Sequence, residues 1–197
     1  MDGFAALDRY FVRLADVPRD ELPRMRGVFR PVRLARGELL FRAGEPADKV
    51  AFVVEGLIAL WYSAADGRER VLGFRAEDEL VCAYGAVLRD SPAHATAEAL
   101  EETRLLVASR PAFDELCAGH PAWGRALAKL TDRLYLQQDE RQRALLMDDA
   151  ETRYRDFLAA YPHLAGRLTQ RQIASYVGVT PVALSRIRSR MAAVNLG

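Results

Sequence analysis

The stretch GELLFRAGE, residues 37–45, decides the fold of the first half of the chain. Its two glycines bracket a short apolar run, Leu39–Phe41, and a third glycine, Gly56, follows eleven residues after Glu45. Glycine adopts positive φ at little steric cost, so glycines at this spacing mark turns between strands. The stretch therefore predicts short strands that are joined by tight turns.

Short apolar runs separated by turn residues continue to Ser109. Asp66-Gly67 stands between two of these runs, and this dipeptide is a strong hairpin signal because it tolerates positive φ. Many short strands at close spacing are typical of a sandwich, a barrel or a jelly roll. The candidate strands are Leu39–Phe41, Val50–Val54, Leu57–Tyr62, Arg70–Phe74, Ala95–Leu100 and Arg104–Val107.

The glycine pattern resembles the opening of the cyclic-nucleotide-binding domain. That family carries Gly-Glu-x-Leu-x-x-x-Gly-Glu around one strand and a third glycine at the end of the next strand, and residues 37–56 fit this pattern without a gap. The resemblance implies an α+β fold that begins with a β-roll of the jelly-roll type. The glycines make turns, so they carry the fold and no ligand chemistry.

The segment that would form the ligand pocket departs from the family. Members that bind a cyclic nucleotide hold the ribose with a Gly-Glu pair on a short helix and hold the phosphate with a later arginine. Here Val81-Cys82 stands in place of the pair, and Ser91–His94 has no arginine, with Arg89 the nearest. A cyclic phosphate buried without a cation is costly, so we expect a ligand other than cyclic AMP, or none. The candidate pocket residues are Leu80, Val81, Cys82, Ala83, Tyr84, Arg89 and His94.

A short helix at Pro111–Cys117 is predicted to precede a long helix from Ala122 to Met147. Proline before the long helix and the absence of glycine after Gly124 both favour it. Apolar residues recur at spacings of three and four, which is typical of a helix that packs on a partner. In the family the equivalent helix pairs with its twin, and an amphipathic helix that packs within one chain is the alternative. The candidate dimerisation residues are Trp123, Leu127, Leu130 and Leu134.

Two short helices are predicted near the C-terminus. Thr169 and Gln172 form a capping box at the start of the first helix. Thr180 and Pro181 supply a capping hydroxyl and a first-turn proline for the second. Two short helices around a tight turn are the layout of a helix-turn-helix.

A helix-turn-helix requires particular residue types at fixed positions, and this segment has them. Counted from Gln170, the fifth residue is Ala174, where the helices cross, and the ninth is Gly178, where the turn needs positive φ. An ordinary helical hairpin, the alternative, would require neither residue. The predicted buried positions are Ile173, Val177, Val179, Leu184 and Ile187.

The face of the second helix opposite its buried residues would enter the major groove of DNA. Arg186 lies on that face, and an arginine can bond guanine O6 and N7 in a bidentate fork. The start of the first helix would anchor phosphate through backbone N–H groups and Arg171. The candidate DNA-binding residues are Arg186, Ser185, Val182, Ser189, Thr169, Gln170, Arg171, Thr180, Arg188 and Arg190.

The second half of the chain resembles a branch of the Crp–Fnr regulators, through IASYVGVTP (173–181), LSRIR (184–188) and ETRYRDFL (151–158). The resemblance implies a transcription regulator that binds double-stranded DNA as a homodimer, with Arg186 as the base reader. RNA polymerase is a further partner that we consider. Pro181-Val182 replaces the family's Arg-Glu pair, so we do not expect the usual operator sequence. Only seven residues follow Arg190, so most of the β-hairpin wing is expected to be missing.

The charge distribution agrees with a polyanion partner. Residues 152–197 hold seven arginines and one acid, hence +6. The whole chain carries 28 basic and 27 acidic residues, so the remainder carries 21 and 26, hence −5. A positive end suggests contact with nucleic acid there. No apolar run approaches the roughly 20 residues of a membrane span, and the N-terminus lacks a signal-peptide pattern, so we expect a cytoplasmic protein.

Cysteines and histidines are scattered, so we expect no metal and no cofactor. We find no catalytic motif and expect no enzyme. The alternative function is a sensing module that binds a cyclic nucleotide or another small ligand and acts through protein contacts, with a vestigial DNA reader. The predicted organisation is a sensor domain with flanking helices at 1–118, a dimerisation helix at 119–148 and a helix-turn-helix domain at 149–197.

Overall fold

Two antiparallel sheets form a β-roll in the computed structural model, which describes residues 2–64 and 66–194. One sheet has the order β1-β8-β3-β6 and the other the order β2-β7-β4-β5. The strands are β1 (Arg30–Leu34), β2 (Leu39–Phe41), β3 (Lys49–Glu55), β4 (Ile58–Ser63), β5 (Glu69–Arg75), β6 (Leu80–Cys82), β7 (Thr96–Ala99) and β8 (Thr103–Ser109). The roll and all six predicted strands are confirmed, with ends that shift by at most two residues.

The sequence did not predict β1 and β6 as strands. β1 is an edge strand of the sequence RPVRL whose side chains are mostly exposed, so it lacks the apolar alternation of a half-buried strand. A proline is tolerated there because an edge strand leaves one side unpaired. β6 has only three residues.

The third glycine of the opening motif is required by a close approach between two segments. Gly56 has φ +108°, and a Cβ built on it would lie 2.7 Å from the backbone Cα of Thr103. The Thr103 hydroxyl accepts a hydrogen bond from the Leu57 N–H at 3.2 Å. Glycine at this position therefore lets the β3–β4 turn pack against the start of β8.

Four helices flank the first sheet: α1 (Gly3–Ala15), α2 (Leu22–Val28), α4 (Arg110–Gly119) and the long α5 (Pro121–Met147). α1, α4 and the first turns of α5 form a hydrophobic core on that sheet. Another helix, α3 (Tyr84–Arg89), follows β6. No helix in residues 2–64 or 66–194 combines the length and apolar character that a membrane span needs.

Trp123 lies in this core, which corrects its assignment to a dimer seam. The side chain is 0% exposed, its ring packs edge-on at 5.2 Å from the Phe11 ring, and its Nε1–H donates to Glu21 at 2.8 Å. Leu130 also packs partly against this core. The apolar face at the start of α5 is therefore covered within the chain by α1, a partner that the sequence pattern did not reveal.

The C-terminal helices are α6 (Ala150–Ala160), α7 (Gln170–Val177) and α8 (Pro181–Val194). Their apolar faces form one continuous core with the second sheet of the roll, which contributes Leu57, Val71 and Phe74. The Phe74 ring lies 5.6 Å from that of Tyr176 and 6.5 Å from that of Phe157. The helix-turn-helix is thus docked on the roll of its own chain.

Candidate nucleic-acid interface and sensor cavity

The start of the helix-turn-helix is held by the predicted capping box. The Thr169 hydroxyl accepts from the Gln172 N–H at 3.3 Å, and the Gln172 side-chain oxygen accepts from the Thr169 N–H at 2.8 Å. The Thr180 hydroxyl accepts from the Ala183 N–H at 3.2 Å and caps α8. Each cap satisfies N–H groups that have no partner inside the helix.

The turn between α7 and α8 also has the predicted geometry. Gly178 has φ +81°, and a Cβ built there would lie 3.1 Å from a methyl carbon of Leu145. Ala174 is completely buried, as the crossing of the two helices requires. Ile173, Val177, Leu184 and Ile187 are each at most 4% exposed. Val179, the fifth predicted buried position, is only half-buried and packs against the same core. The helix-turn-helix predicted from spacing is therefore confirmed as a structure, with four of its five apolar positions fully buried.

The outward face of α8 carries Val182, Ser185, Arg186 and Ser189, all exposed. Arg186 makes no hydrogen bond or ion pair with any residue in 2–64 or 66–194, so its guanidinium is available to a ligand. Val182 is 64% exposed on the same face. Such a methyl-bearing side chain can contact the thymine methyl in the major groove.

Some of the predicted contact residues already have partners. The Gln170 amide donates to the Pro181 carbonyl at 3.0 Å and ties the two helices together. The Ser189 hydroxyl donates to the Ser185 carbonyl within α8 at 3.1 Å. Arg190 lies 3.3 Å from a carboxylate oxygen of Glu151 on α6. Of these three contacts, only that of Gln170 joins the two helices of the motif.

The seven arginines of the positive C-terminal end divide into two groups. Arg153, Arg155, Arg167 and Arg190 bind carbonyls or carboxylates of the chain itself. The other three make no hydrogen bond or ion pair within the described ranges, and all lie exposed on α7 or α8: Arg171, Arg186 and Arg188. Within the positive C-terminal end, the unpaired arginines therefore all lie on the helix-turn-helix.

The contacts that dock the helix-turn-helix on the roll were not predicted. The Ser175 hydroxyl of α7 accepts from the Val71 N–H of β5 at 3.0 Å. Arg141 of α5 donates to the Val71 carbonyl at 3.1 Å, and its guanidinium carbon lies 4.0 Å from the centre of the Tyr176 ring. A cation over an aromatic face is attracted by the ring quadrupole. Arg141 thus links the long helix α5 to both the roll and the helix-turn-helix.

Arg167 adds an ionic contact between the segment before α7 and the roll. Its guanidinium donates two bonds of 2.9 Å to Glu77 and two to Glu101, at 2.5 and 3.4 Å. Burial opposes ionisation of Glu77, but hydrogen bonds from Arg167 and the Gly56 N–H outweigh it, and the pKa falls to about 2. The bridge is therefore charged at every pH near neutrality.

A cavity of about 710 Å³ lies between the roll and α5. It has the predicted pocket residues Leu80, Val81, Cys82, Tyr84 and Arg89 in its wall, while Ala83 and His94 lie outside it. The predicted dimerisation residues Leu127, Leu130 and Leu134 line its opposite side. The Tyr84 hydroxyl lies 3.0 Å from that of Thr131 and links α3 to α5. Burial raises the pKa of the Cys82 thiol to about 11, so the thiol stays protonated.

Val81 and Cys82 lie on strand β6 and not on a helix, and the short helix α3 begins two residues after Cys82. Neither side chain offers a carboxylate to a ribose. Arg89 turns back to donate to the Gly85 carbonyl at 2.9 Å.

The chain is similar to known regulators along most of its length. Residues 31–120 match the family model described as "Cyclic nucleotide-binding domain". The transcriptional activator protein anr of Pseudomonas aeruginosa is 31% identical over 170 residues, which cover 80% of this chain and 68% of that protein.

Solved structures have the same fold. FixK2 from Bradyrhizobium japonicum superposes with a TM-score of 0.75 at 22% identity and covers 85% of this chain and 86% of that one. The c-di-GMP-responsive regulator CLP of Xanthomonas campestris has a TM-score of 0.73 at 19% identity, over 91% and 94%.

A β-roll of cyclic-nucleotide-binding type joined by a long helix to a helix-turn-helix defines the class of sensor-linked transcription regulators. Within that class, the chain belongs to the Crp–Fnr family. It is a transcription regulator of the Crp–Fnr type.

Proposed function

We propose that this regulator binds double-stranded DNA as a homodimer, with α8 in the major groove, and that a small ligand other than cyclic AMP occupies the cavity of the roll. The observation that carries the proposal is the outward face of the helix-turn-helix, where Arg171, Arg186 and Arg188 are exposed and lack partners in the part of the chain that the structure describes. Docking on the roll leaves this face open. Arg186 and Val182 suit base edges, and Arg171 and Arg188 suit phosphates.

Selection of binding sites from random double-stranded DNA tests this proposal. We expect near-palindromic sites with half-sites about one helical turn apart, because a twofold dimer places two recognition helices on one side of the duplex. Binding should weaken as salt rises, since the exposed arginines displace counterions from phosphates. Enrichment of no sequence would favour the alternative, a sensing module with a vestigial reader.

The second half of α5 supports a homodimer. Tyr135, Leu136, Leu146 and Met147 are between 58% and 77% exposed. Tyr135 and Leu146 are eleven residues apart and therefore share one face of the helix. Large exposed apolar side chains on a helix are typical of a subunit contact, and a second α5 would present Tyr135 and Leu146 on a matching face, with Gln138 and Gln142 between them. We therefore place the seam at the second half of α5, in place of Trp123.

Replacing Leu146 by glutamate is expected to weaken the dimer about tenfold or more, because a carboxylate would lie in the apolar seam. Sedimentation at micromolar concentration should give twice the monomer mass for the wild type and a mixture with monomer for Leu146→Glu. The matched control is Val182→Glu, which charges an equally exposed apolar residue on α8 and should remain dimeric. A wild type that sediments as a monomer would contradict the proposed seam.

Cyclic AMP is expected to show no binding by calorimetry at micromolar concentrations. Val81-Cys82 provides no carboxylate for the ribose hydroxyls, and Arg89 is engaged with Gly85. The loss of a charge-assisted contact at a buried phosphate is costly. Micromolar affinity would show that other cations of the cavity hold the phosphate and would overturn this part of the proposal.

A further inference from the structure

One wall of the roll cavity carries a hydroxyl that has no hydrogen-bond partner in the described residues. Tyr10 of α1 is 5% exposed and lines the cavity. Its ring packs 5.3 Å from the Phe11 ring and 5.4 Å from the Phe52 ring. Within residues 2–64 and 66–194 its hydroxyl makes no hydrogen bond. The ring is fixed by packing while the hydroxyl oxygen is not enclosed by protein, so it can donate to a group that enters the cavity.

The charges around this hydroxyl are mainly positive. Burial raises the pKa of Tyr10, and among the charged groups Arg133 opposes this rise most strongly, while Arg13 and Arg75 act in the same direction and Glu79 against them. Arg133 lies on α5, lines the same cavity, and makes no hydrogen bond or ion pair in the described ranges. Its guanidinium is free to bind an anion beside the Tyr10 hydroxyl.

The other cations of the cavity are engaged within the chain, and so is Glu79. The Asp78 carboxylate also lines the cavity and has no side-chain hydrogen bond in the described residues. Arg75 donates to the Phe74 carbonyl at 2.7 Å, and Glu79 accepts from the Ala76 N–H at 2.7 Å. Arg110 pairs with Asp114 at 2.5 Å. Arg133 is therefore the cation of the cavity best placed to bind a ligand.

Much of the remaining wall is apolar, although Thr131, Gln137 and Gln138 also line it. The apolar part comes from both the roll and the long helix: Leu60, Leu80, Val87, Leu127, Leu130 and Leu134. Leucines and valines offer dispersion contacts and no hydrogen bonds, so they suit the hydrocarbon part of a ligand. A cavity of about 710 Å³ has room for a molecule of two or three rings or a medium-length chain.

We propose that the cavity binds a small organic acid with an apolar body, whose anionic group is held by the Tyr10 hydroxyl and the Arg133 guanidinium. This inference rests on the proposed sensor role of the cavity and names its ligand class. The hydroxyl and the guanidinium donate to the anion, and the leucine-rich walls cover the apolar body. Such a ligand would link α1 to α5, the helix that leads into the C-terminal helices.

A pair of fluorescent probes tests the proposal on the full chain. 8-Anilinonaphthalene-1-sulfonate carries an anion on an apolar body, and N-phenyl-1-naphthylamine has the same rings without the sulfonate. We expect Arg133→Gln and Tyr10→Phe each to weaken sulfonate binding about tenfold, because each removes one donor to a charged group. Binding of the amine should change less than twofold. Arg125→Gln is the matched control, an exposed arginine of α5 outside the cavity, and should change neither probe.

The proposal is overturned if the wild type does not bind the sulfonate with one site per chain. It is also overturned if both variants bind the sulfonate like the wild type. Equal weakening of both probes would overturn it too, because the substitutions would then have changed the shape of the cavity rather than removed an anion site. Tyr10→Phe keeps the ring packing, so it remains informative if Arg133→Gln folds poorly. DNA selection is a separate readout. If the protein selects DNA sequences but fails the probe test, only this inference is refuted. If it passes the probe test but selects no DNA sequence, only the proposed DNA binding is refuted.

Discussion

Replacing Trp123 by alanine is expected to lower the free energy of unfolding by about 3–5 kcal/mol, the cost of a large cavity in a packed core. Trp123 is completely buried between α1, α4 and the sheet, and its indole N–H is bonded to Glu21. The neighbours are rings and backbone segments that cannot close the void. Urea unfolding followed by circular dichroism, at one fixed protein concentration, measures the change.

Leu88→Ala is the matched control for this experiment. Leu88 is 69% exposed, so its truncation should cost less than about 1 kcal/mol. If Trp123→Ala instead left the monomer fold stable and only separated the subunits, Trp123 would lie in the dimer seam, as the sequence predicts. The stability and the sedimentation of the two variants together decide between a core residue and a seam residue.

Replacing Arg186 by alanine is expected to relax the DNA specificity at one base pair of each half-site, with a loss of about 1–3 kcal/mol of discrimination. The arginine projects from the face of α8 opposite Leu184 and Ile187, and no described residue binds its guanidinium. A bidentate contact to guanine is therefore lost without any change in the fold. Site selection from random DNA with the wild type and the variant measures this effect.

Arg188→Ala provides the comparison. Arg188 is also exposed and unpaired in the described ranges, but it lies to one side of the outward face of α8 that carries Arg186. Its loss should weaken all sequences about equally and lower the slope of log affinity against log salt by about one unit for each lost phosphate contact. An unchanged selected sequence for Arg186→Ala would show that α8 docks in another orientation.

The local parts of both sites were predictable from the sequence. Capping boxes, first-turn prolines and a glycine in a tight turn act between residues three or four positions apart, so Thr169–Gln172 and Gly178 could be located from spacing alone. The strands of the roll followed from the glycines at 37, 44 and 56, each with positive φ. The free or engaged state of each arginine could not be deduced, because that depends on which acids the fold brings near.

By itself, the sequence determined six of the strands of the roll, the register of the helix-turn-helix and the lack of the family's glutamate at Val81-Cys82, since these depend on residue type and local spacing. Only the tertiary structure decided that α1 covers Trp123, that Arg167 is bound to Glu77, and that Tyr10 and Arg133 meet at one cavity. Glu77 lies 90 residues from Arg167, and Glu21 lies 102 from Trp123. Periodicity shows that a helix has an apolar face, but the partner of that face is selected by packing between distant segments, which no local pattern records.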